Sequence, residues 1–408
     1  MLKMEARGTF TEYLPSYTIG VDAYRSVAQI VKRFGTKAAV IGGPTAMSVV
    51  RSKLEAALVD SDIHIASWHD YGRNSTHANA CRLAQNSEVI EADMLFLVGG
   101  GRAIDEGKEI ATLANKPYFC FPTLASNCAS VTRIGVFYKD DDSADDYFIP
   151  AQLPVHTFID TQIIVESPDE FFWAGIGDAF SKGPEVELTT RDVDLLHSPL
   201  MGRALATGAC TKPLFADAEQ ALKDKRAGIV SEAFEAVVLN IIITAGIISN
   251  MTTNMRAEKG TYYFNSSVAH AFYNAFTLLG ERAKKHLHGE VVAFGTCVLF
   301  AFDGNINALK EQVALNKKLG LPIRLSDLDI TDDTEENDLK IILQAAQKTN
   351  EWGRAPYGYT EQRFYQAIKD TDLYGKAVAL HQAEKQEVIL QQILDHAPSA
   401  ETAVSRKM

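Results

Sequence analysis

The first 165 residues alternate short apolar runs with segments whose apolar residues recur at helical spacing. The apolar runs fall at 37–43, 62–68, 93–101, 117–123 and 156–164. Between them, the segments 49–58 and 79–92 place apolar residues three or four positions apart. Strands that alternate with helices predict a parallel sheet covered by helices on both faces. Ligands are expected at the carboxyl ends of such strands.

Residues 134–150 break this alternation. The segment IGVFYKDDDSADDYFIP has two strand-like runs around an acidic turn, which predicts a hairpin at the edge of the sheet. Its aspartates do not match a calcium-binding loop, because the spaced glycine and the terminal glutamate of an EF-hand are missing.

After SPDEFF at 167–172 nearly every segment has helical periodicity. We therefore predict two domains, an α/β domain over 1–168 and an all-α domain over 169–408. A chain of 408 residues is long enough for two cores with room for a site between them. Ser167 and Pro168 favour a helix start, so this boundary is predicted to be a hinge.

Charge and cysteine content narrow the function classes. A net charge of -12 argues against nucleic acid as a partner, because such binding relies on clustered lysine and arginine. Five cysteines without a CxxC pair suit a reducing compartment. The start lacks a signal-peptide core, and the longest apolar stretches, near 233–248 and 291–302, are interrupted or short for a membrane span. We predict a cytoplasmic protein with a small-molecule partner and no membrane contact.

Three glycines follow the apolar run DMLFLV and precede a helical segment that begins near Ala103. Glycines let backbone N–H groups approach a pyrophosphate, and the helix N-terminus favours negative charge. A tight strand-to-helix turn explains the same glycines equally well. Thr123 and Ser126 follow the next strand and are candidates for donating to a phosphate or a carboxamide, although turn residues look the same.

Three residues far apart in sequence are candidate metal ligands. Asp178 lies in an otherwise small and apolar helical segment, and His270 and His288 lie on apolar helical segments. Two imidazoles and one carboxylate with an open position form a catalytic arrangement for zinc or iron. From spacing alone, buried and hydrogen-bonded histidines and a capping or ion-paired aspartate are the more common alternative.

Five motifs in order, GGGRAIDEGK, FPTLAS, GIGDAFSK, VAHAFYNAF and HLHGEVVAFG, resemble the glycerol dehydrogenase branch of the iron-containing alcohol dehydrogenase superfamily. The resemblance runs from near residue 13 to the last helices. It implies an N-terminal dinucleotide-binding domain, a helical domain, a metal and substrate between them, and a homo-oligomer. The implied reaction is reversible hydride transfer between a small alcohol, polyol or hydroxy acid and NAD or NADP.

The resemblance assigns individual positions. Asp178, His270 and His288 match the metal ligands of the family. Gly100, Gly101 and Arg102 match the pyrophosphate site, and the nicotinamide side matches Thr123, Ser126, Thr132, Ile134 and Tyr138. The iron branch has a further histidine one helical turn beyond the first, where this chain has Asn274. Three protein ligands favour zinc over iron.

Four departures from the family concern specificity. Cys128 replaces an aspartate that contacts the polyol, which puts glycerol in doubt and makes a carboxylate-bearing substrate easier to admit. We predict Cys128 to be a neutral wall of the catalytic pocket. Tyr273 replaces a second histidine, and Gly43 replaces an acidic residue that contacts the adenosine ribose, which makes NADP(H) use plausible. The segment 250–267 is also unlike typical members.

Two alternatives stay open at this point. A dehydroquinate synthase-like lyase shares the architecture, although its site needs more basic residues than these motifs contain. A catalytically inactive nucleotide-binding relative is the second, and retention of the three predicted metal ligands argues against it.

Overall fold

The structure is a computed structural model and describes residues 2–3, 12–140, 144–150, 152–254 and 262–398. Its strands in chain order are β1 (Leu2–Lys3), β2 (Tyr17–Gly20), β3 (Lys37–Gly42), β4 (His64–Asp70), β5 (Met94–Gly99), β6 (Tyr118–Pro122), β7 (Gly135–Tyr138), β8 (Ala144–Phe148), β9 (His156–Asp160), β10 (Val193–Asp194), β11 (Thr253–Asn254) and β12 (Tyr262–Tyr263).

The α-helices are α1 (Val27–Val31), α2 (Pro44–Leu58), α3 (His77–Ala84), α4 (Ser87–Glu91), α5 (Gly101–Leu113), α6 (Thr161–Glu166), α7 (Asp169–Thr190), α8 (His197–Leu205), α9 (Thr211–Arg226), α10 (Glu232–Leu239), α11 (Ala245–Thr252), α12 (Val268–Phe276), α13 (His288–Asp303), α14 (Ile306–Leu319), α15 (Glu335–Ala346), α16 (Glu361–Ala379) and α17 (Ala383–His396). Short π-helical turns join α8 to α9 at Ala206–Cys210 and α10 to α11 at Asn240–Thr244.

Six parallel strands form the predicted sheet, in the order β2-β9-β6-β5-β3-β4. Every residue of β5, β6 and β9 is buried, as expected for strands covered on both faces. One apolar cluster includes Val40, Phe96 and Phe119, and a second cluster includes Ile41, Leu97 and Cys120. Successive residues of one strand thus pack into different clusters, as expected for a sheet that is covered on both faces. This confirms the predicted α/β fold.

The chain divides into two compact units by its contacts. One unit comprises 10–172 and 220–250 and contains the sheet; the other comprises 1–9, 173–219 and 251–408. The predicted domain boundary at 168/169 lies close to the division at 172/173 and stays a prediction. Residues 220–250 belong with the sheet, although their helical pattern had assigned them to the second domain.

Within its described residues, the second unit is helical apart from the two-residue pairings of β1 with β10 and β11 with β12. Its core is a cluster built mainly by α12, α13, α15, α16 and α17. In the described residues, Glu232–Thr252 is the helical stretch long and apolar enough to cross a membrane. Because 72% of its most apolar window is buried inside the protein, it is typical of a core helix.

The predicted hairpin is present, since β7 and β8 pair in antiparallel fashion, but its predicted position is wrong. The two strands form a separate sheet, and the edges of the main sheet are β2 and β4. The hairpin is instead attached to α5, because the Val136 amide donates to Asp105 Oδ2 at 3.1 Å. The acidic turn at 141–143 lies outside the described residues, as does 255–261 within the atypical segment 250–267.

Candidate metal centre and nucleotide loops

Asp178 lies on α7 where this helix passes against the start of α13. A Cβ atom at Gly177 would overlap the carbonyl oxygen of Gly289, and one at Gly289 would overlap the carbonyl oxygen of Ala174. Glycine at these two positions therefore lets the helix backbones touch. This close crossing brings the Asp178 carboxylate next to the imidazole of His288, the first residue of α13.

His270 reaches the same place from α12. A Cβ atom at Gly295 would lie 2.6 Å from the carbonyl oxygen of Ala269, so α12 and α13 also pack with little between their backbones. Nε2 of His270 lies 3.5 Å from Asp178 Oδ1, and Nε2 of His288 lies 3.2 Å from the same oxygen. The three predicted ligands, which are 92 and 18 residues apart in sequence, thus converge within one unit.

This donor set suits a divalent cation. One ligand atom from each of Asp178, His270 and His288 lies within 4.8 Å of the other two. Asp178 is buried, whereas the side chain of His288 is 36% exposed, so the cluster has a solvated side. Two imidazole nitrogens and one carboxylate oxygen with one side open are the donors of a three-ligand catalytic zinc site.

Glu185 fixes the orientation of His270. Its carboxylate is fully buried two helical turns after Asp178 and lies 2.6 Å from His270 Nδ1. The other oxygen accepts from the backbone amides of Ser267 at 2.8 Å and His270 at 3.1 Å. A hydrogen bond from Nδ1–H to Glu185 leaves Nε2 as the electron-pair donor that faces Asp178.

The electrostatics of the cluster favour a cation. Burial alone would raise the pKa of Asp178, but the facing imidazoles of His288 and His270 hold it well below its ordinary range. Burial also opposes an imidazolium at His270, yet Glu185 and Asp178 raise the pKa of His270 to about 9. The negative charge that stabilises this imidazolium also favours a divalent cation beside His270, which would bind Nε2 in competition with the proton.

Lys182 adds a positive charge to the cluster. It lies one helical turn after Asp178 and is 4% exposed. Its ammonium lowers the pKa values of Asp178 and Glu185 and opposes the protonation of His270. A bound divalent ion and Lys182 would together carry three positive charges, against the two negative charges of Asp178 and Glu185.

Two of the departures from the family have clear positions here. The ring of Tyr273 packs edge-on against that of His288, with the centroids 4.2 Å apart, so it supports the imidazole of a candidate ligand. Asn274 Nδ2 donates to the buried Glu351 Oε2 at 3.1 Å. The amide at the iron-branch histidine position is therefore committed to Glu351 rather than to the cluster.

The glycine turn belongs to the other unit and joins β5 to α5. Gly99 has a φ of 141°, and Gly100 precedes the first residue of α5 without any described side chain capping the helix. A Cβ at Gly100 would lie 2.9 Å from Leu124 Cδ1, and one at Gly101 would lie 2.6 Å from Asn127 Nδ2. The turn is tight, as the structural interpretation of these glycines requires, and phosphate binding by the turn stays a prediction.

Arg102 and Tyr138 lie together, although they were predicted to contact different parts of the dinucleotide. The guanidinium carbon of Arg102 lies 5.0 Å from the centre of the Tyr138 ring, within the range of a cation–π interaction. Thr123 is buried after β6, and its amide donates to the carbonyl of Gly99 at 3.2 Å. Ser126 is half-buried on the same loop.

Gly43 forms the N-cap of α2 at the end of β3. A Cβ atom there would lie 3.3 Å from Cε1 of Tyr71, so the tyrosine ring occupies the space beside this position. Burial and the neighbouring carboxylates raise the pKa of Tyr71, whereas Arg102 lowers it. A basic side chain is therefore close enough to influence this ring.

The loop 128–134 contains the remaining predicted residues. Cys128 is 9% exposed and precedes a 3-10 turn over Ala129–Val131. The hydroxyl of Thr132 is buried and lies 3.4 Å from the ammonium of Lys108, so it faces the protein interior. Ile134 is half-buried and offers its carbonyl to the same ammonium at 2.7 Å.

Sequence reasoning missed the buried polar residues that support both sites. Glu185 and Lys182 share a helix with Asp178. The sequence did contain a signal for Glu185, because seven residues are two helical turns and place it on the same helix face as Asp178. Lys108 follows the glycines within GGGRAIDEGK. Its i, i+3 spacing from Asp105 looks like an exposed helical ion pair, whereas both residues are buried.

Comparison with known proteins agrees with this geometry. The family model for iron-containing alcohol dehydrogenase matches residues 15–161. The glycerol dehydrogenase of Escherichia coli O6:H1 is 26% identical over 365 residues, which is 88% of this chain and 95% of that protein. Hydroxycarboxylate dehydrogenase A of Escherichia coli K12 is 26% identical over 277 residues, which is 68% of this chain and 74% of that protein.

A solved structure extends the agreement to the fold. The crystal structure of glycerol dehydrogenase from Schizosaccharomyces pombe superposes with a TM-score of 0.81 at 26% identity and covers 94% of this chain and 95% of that chain. The order of motifs, the parallel sheet, the helical unit and these matches lead to one conclusion. The chain is similar over most of its length to glycerol dehydrogenases of the iron-containing alcohol dehydrogenase superfamily, and it is an oxidoreductase that acts on CH–OH groups.

Proposed function

We propose that this chain is a zinc-dependent, NAD(P)-linked dehydrogenase that transfers a hydride reversibly between a small alcohol and a nicotinamide. The observation that supports this most directly is the convergence of Asp178, His270 and His288 from three helices within 4.8 Å. A divalent ion held by these residues supplies a Lewis acid for the oxygen of the alcohol or carbonyl group.

Zinc is the proposed metal. Iron and zinc both accept two imidazoles and a carboxylate, but Asn274 is hydrogen-bonded to Glu351 and leaves three protein ligands at the cluster. Glu185 holds the Nδ1 side of His270, and Tyr273 packs on His288. These contacts preorganise both imidazoles before a metal binds.

The turn Gly99–Gly101 and the start of α5 are proposed to bind the pyrophosphate, with Arg102 beside it. Thr123, Ser126, Thr132, Ile134 and Tyr138 are proposed to lie on the nicotinamide side. We propose NADP(H) as the preferred cofactor. Gly43 provides no carboxylate against a 2'-phosphate, and the ring of Tyr71 fills the space beside it.

The proposed substrates are small polyols and hydroxy acids. Cys128 introduces no negative charge. With a divalent metal bound, Lys182 would give the cluster of Asp178, His270 and His288 a net positive charge. Both features favour a carboxylate-bearing substrate over glycerol. The relatives include glycerol dehydrogenases and a hydroxycarboxylate dehydrogenase, so both classes occur among similar chains.

The lyase and the inactive relative are not favoured. The relatives compared above are named for dehydrogenase activity, and all three candidate metal ligands are present and converge. We also propose a cytoplasmic location and a homo-oligomer, in line with the charge, the cysteine content and the family resemblance.

A substrate screen tests the proposal. Purified protein, freed of metal and then loaded with zinc or iron(II), is assayed with polyols and NAD+ or NADP+, and with aldehydes and 2-oxo acids and NADH or NADPH. We expect turnover that depends on zinc, a higher kcat/KM with NADPH, and a higher kcat/KM for 2-oxo acids than for glycerol-derived carbonyls. Metal-independent turnover, or none with any pair, would contradict the proposed function.

A further inference from the structure

We infer that Lys108 and Asn250 are positioning residues that fix the loop 128–134 and thereby set the pose of the nicotinamide. This inference rests on the proposed function of that loop. The loop follows the carboxyl end of β6, where parallel sheets bind ligands. Just before it, Asn127 adjoins the position of Gly101 in the glycine turn.

The loop has little regular structure of its own. Its 3-10 turn covers only Ala129–Val131, and three of its carbonyls accept from side chains of other elements. Thr157 Oγ1, on β9, donates to the carbonyl of Ser130 at 2.7 Å. Because a loop backbone without such partners adopts many conformations, these bonds select one of them.

Asn250 holds the middle of the loop with both ends of its amide. Its Nδ2 donates to the carbonyl of Val131 at 2.9 Å, and its Oδ1 accepts from the amide of Arg133 at 3.1 Å. The side chain lies on α11, is 4% exposed and comes from 117 residues away along the chain. One residue therefore fixes the backbone on either side of Thr132.

Lys108 holds the end of the loop. Its ammonium is fully buried and donates to the carbonyl of Ile134 and to Asp105 Oδ1, both at 2.7 Å. It also lies 3.4 Å from Thr132 Oγ1. Asp105 Oδ2 in turn accepts from the amide of Val136, so the pair connects α5, which follows the glycine turn, to the loop and to β7.

A buried lysine and a buried asparagine are costly unless their bonds are made, so both residues define the backbone path closely. Hydride transfer needs the nicotinamide carbon close to the substrate carbon, and a misplacement of about 1 Å costs about 100-fold in rate. In the proposed arrangement, the adenosine and pyrophosphate half of the dinucleotide contacts Gly43 and the glycine turn and not this loop. Loss of Lys108 or Asn250 should therefore affect the nicotinamide half alone.

The test uses Asn250→Ala and the paired variant Lys108→Met with Asp105→Asn, which avoids leaving a buried carboxylate unpaired. ADP probes the pyrophosphate half, and NADPH, followed by its fluorescence, probes the whole dinucleotide. We expect the dissociation constant of ADP to stay within about twofold, that of NADPH to rise about tenfold, and kcat to fall about 10- to 100-fold. Transfer of deuterium from 4R- or 4S-labelled NADPH should also lose stereospecificity.

Lys53→Met is the matched control. Lys53 also pairs with a buried carboxylate in the same unit, Asp160 at 2.8 Å, but does not contact the loop. It should lower stability without changing the ratio of NADPH to ADP affinity. Equal weakening of ADP and NADPH in the loop variants, or an unchanged ratio, would overturn the inference. Because the binding ratio needs no turnover, it remains decisive even if the wild-type protein proves inactive and the proposed reaction fails.

Discussion

The two candidate sites are built in opposite ways. At the metal cluster, side chains of Asp178, His270 and His288 supply the chemistry, and three helices fix them by backbone contact at glycines. In the loops proposed to bind the nucleotide, the backbone would contact the ligand, and buried side chains such as Lys108 and Asn250 hold that backbone by hydrogen bonds. The comparison teaches that the metal site tolerates little change in helix spacing, whereas the nucleotide loops depend on hydrogen bonds made elsewhere.

The largest effect is expected from Gly289→Ala. The added methyl group meets the Ala174 carbonyl, a backbone atom that cannot move aside without separating α7 from α13. Unfolding in urea should show a loss of about 3 kcal/mol, and zinc affinity should fall because Asp178 and His288 separate. Gly208→Ala is the control, since nothing lies within 4 Å of a Cβ at that position. Unchanged zinc binding in Gly289→Ala would refute the helix-crossing argument.

The next effect concerns Glu185→Gln, which keeps the shape but not the charge behind His270. Zinc affinity, measured by competition with a chromogenic chelator, should fall about 10- to 100-fold. Glu187→Gln lies on the same helix and is exposed, so it should bind zinc like the wild type. If both variants bind zinc equally well, Glu185 does not orient the ligand.

A smaller effect is expected from Gly101→Ala in the nucleotide unit. Here the obstacle is the end of the Asn127 side chain, which can rotate away, so the loss of stability should be about 1 kcal/mol. Adding Asn127→Ala should recover part of that loss if the contact is its cause. If the double variant loses as much stability as the two single variants together, Asn127 is not the obstacle.

The smallest expected effect is a pH-dependent loss of stability in His77→Gln, because His77 contacts the hairpin through Asp146. Burial lowers the pKa of His77, but Asp146 on β8 and Glu109 on α5 outweigh burial and raise it above its ordinary value of 6.5. His77 thus stabilises the fold fully below pH 6.5, and this contribution is lost as pH rises through the raised pKa. Urea unfolding should show the largest deficit of His77→Gln at acidic pH and little at alkaline pH. His64→Gln, at an exposed position on β4, is measured beside it as the control for the substitution itself.

The sheet was predictable because strands buried on both faces are continuous apolar runs, as in β3 and β5. The candidate metal ligands were predicted by resemblance, since spacing alone cannot distinguish a ligand histidine from a buried one. The supporting residues could not be predicted in the same way. Glu185, Lys182, Lys108 and Asn250 lie in helical patterns, and only the tertiary fold shows that they are buried and what they contact. For the same reason, the helical pattern of residues 220–250 does not indicate that their contacts group them with the sheet.

Zinc binding by Asp178→Asn tests the central claim most directly. This substitution keeps the volume of the side chain and removes the charge that His270 and His288 face. The account predicts one tightly bound zinc ion per wild-type chain. In the variant it predicts a loss of zinc affinity of at least about 100-fold and loss of NAD(P)H-linked turnover, with ADP binding unchanged. A variant that retains both the zinc ion and turnover would contradict it.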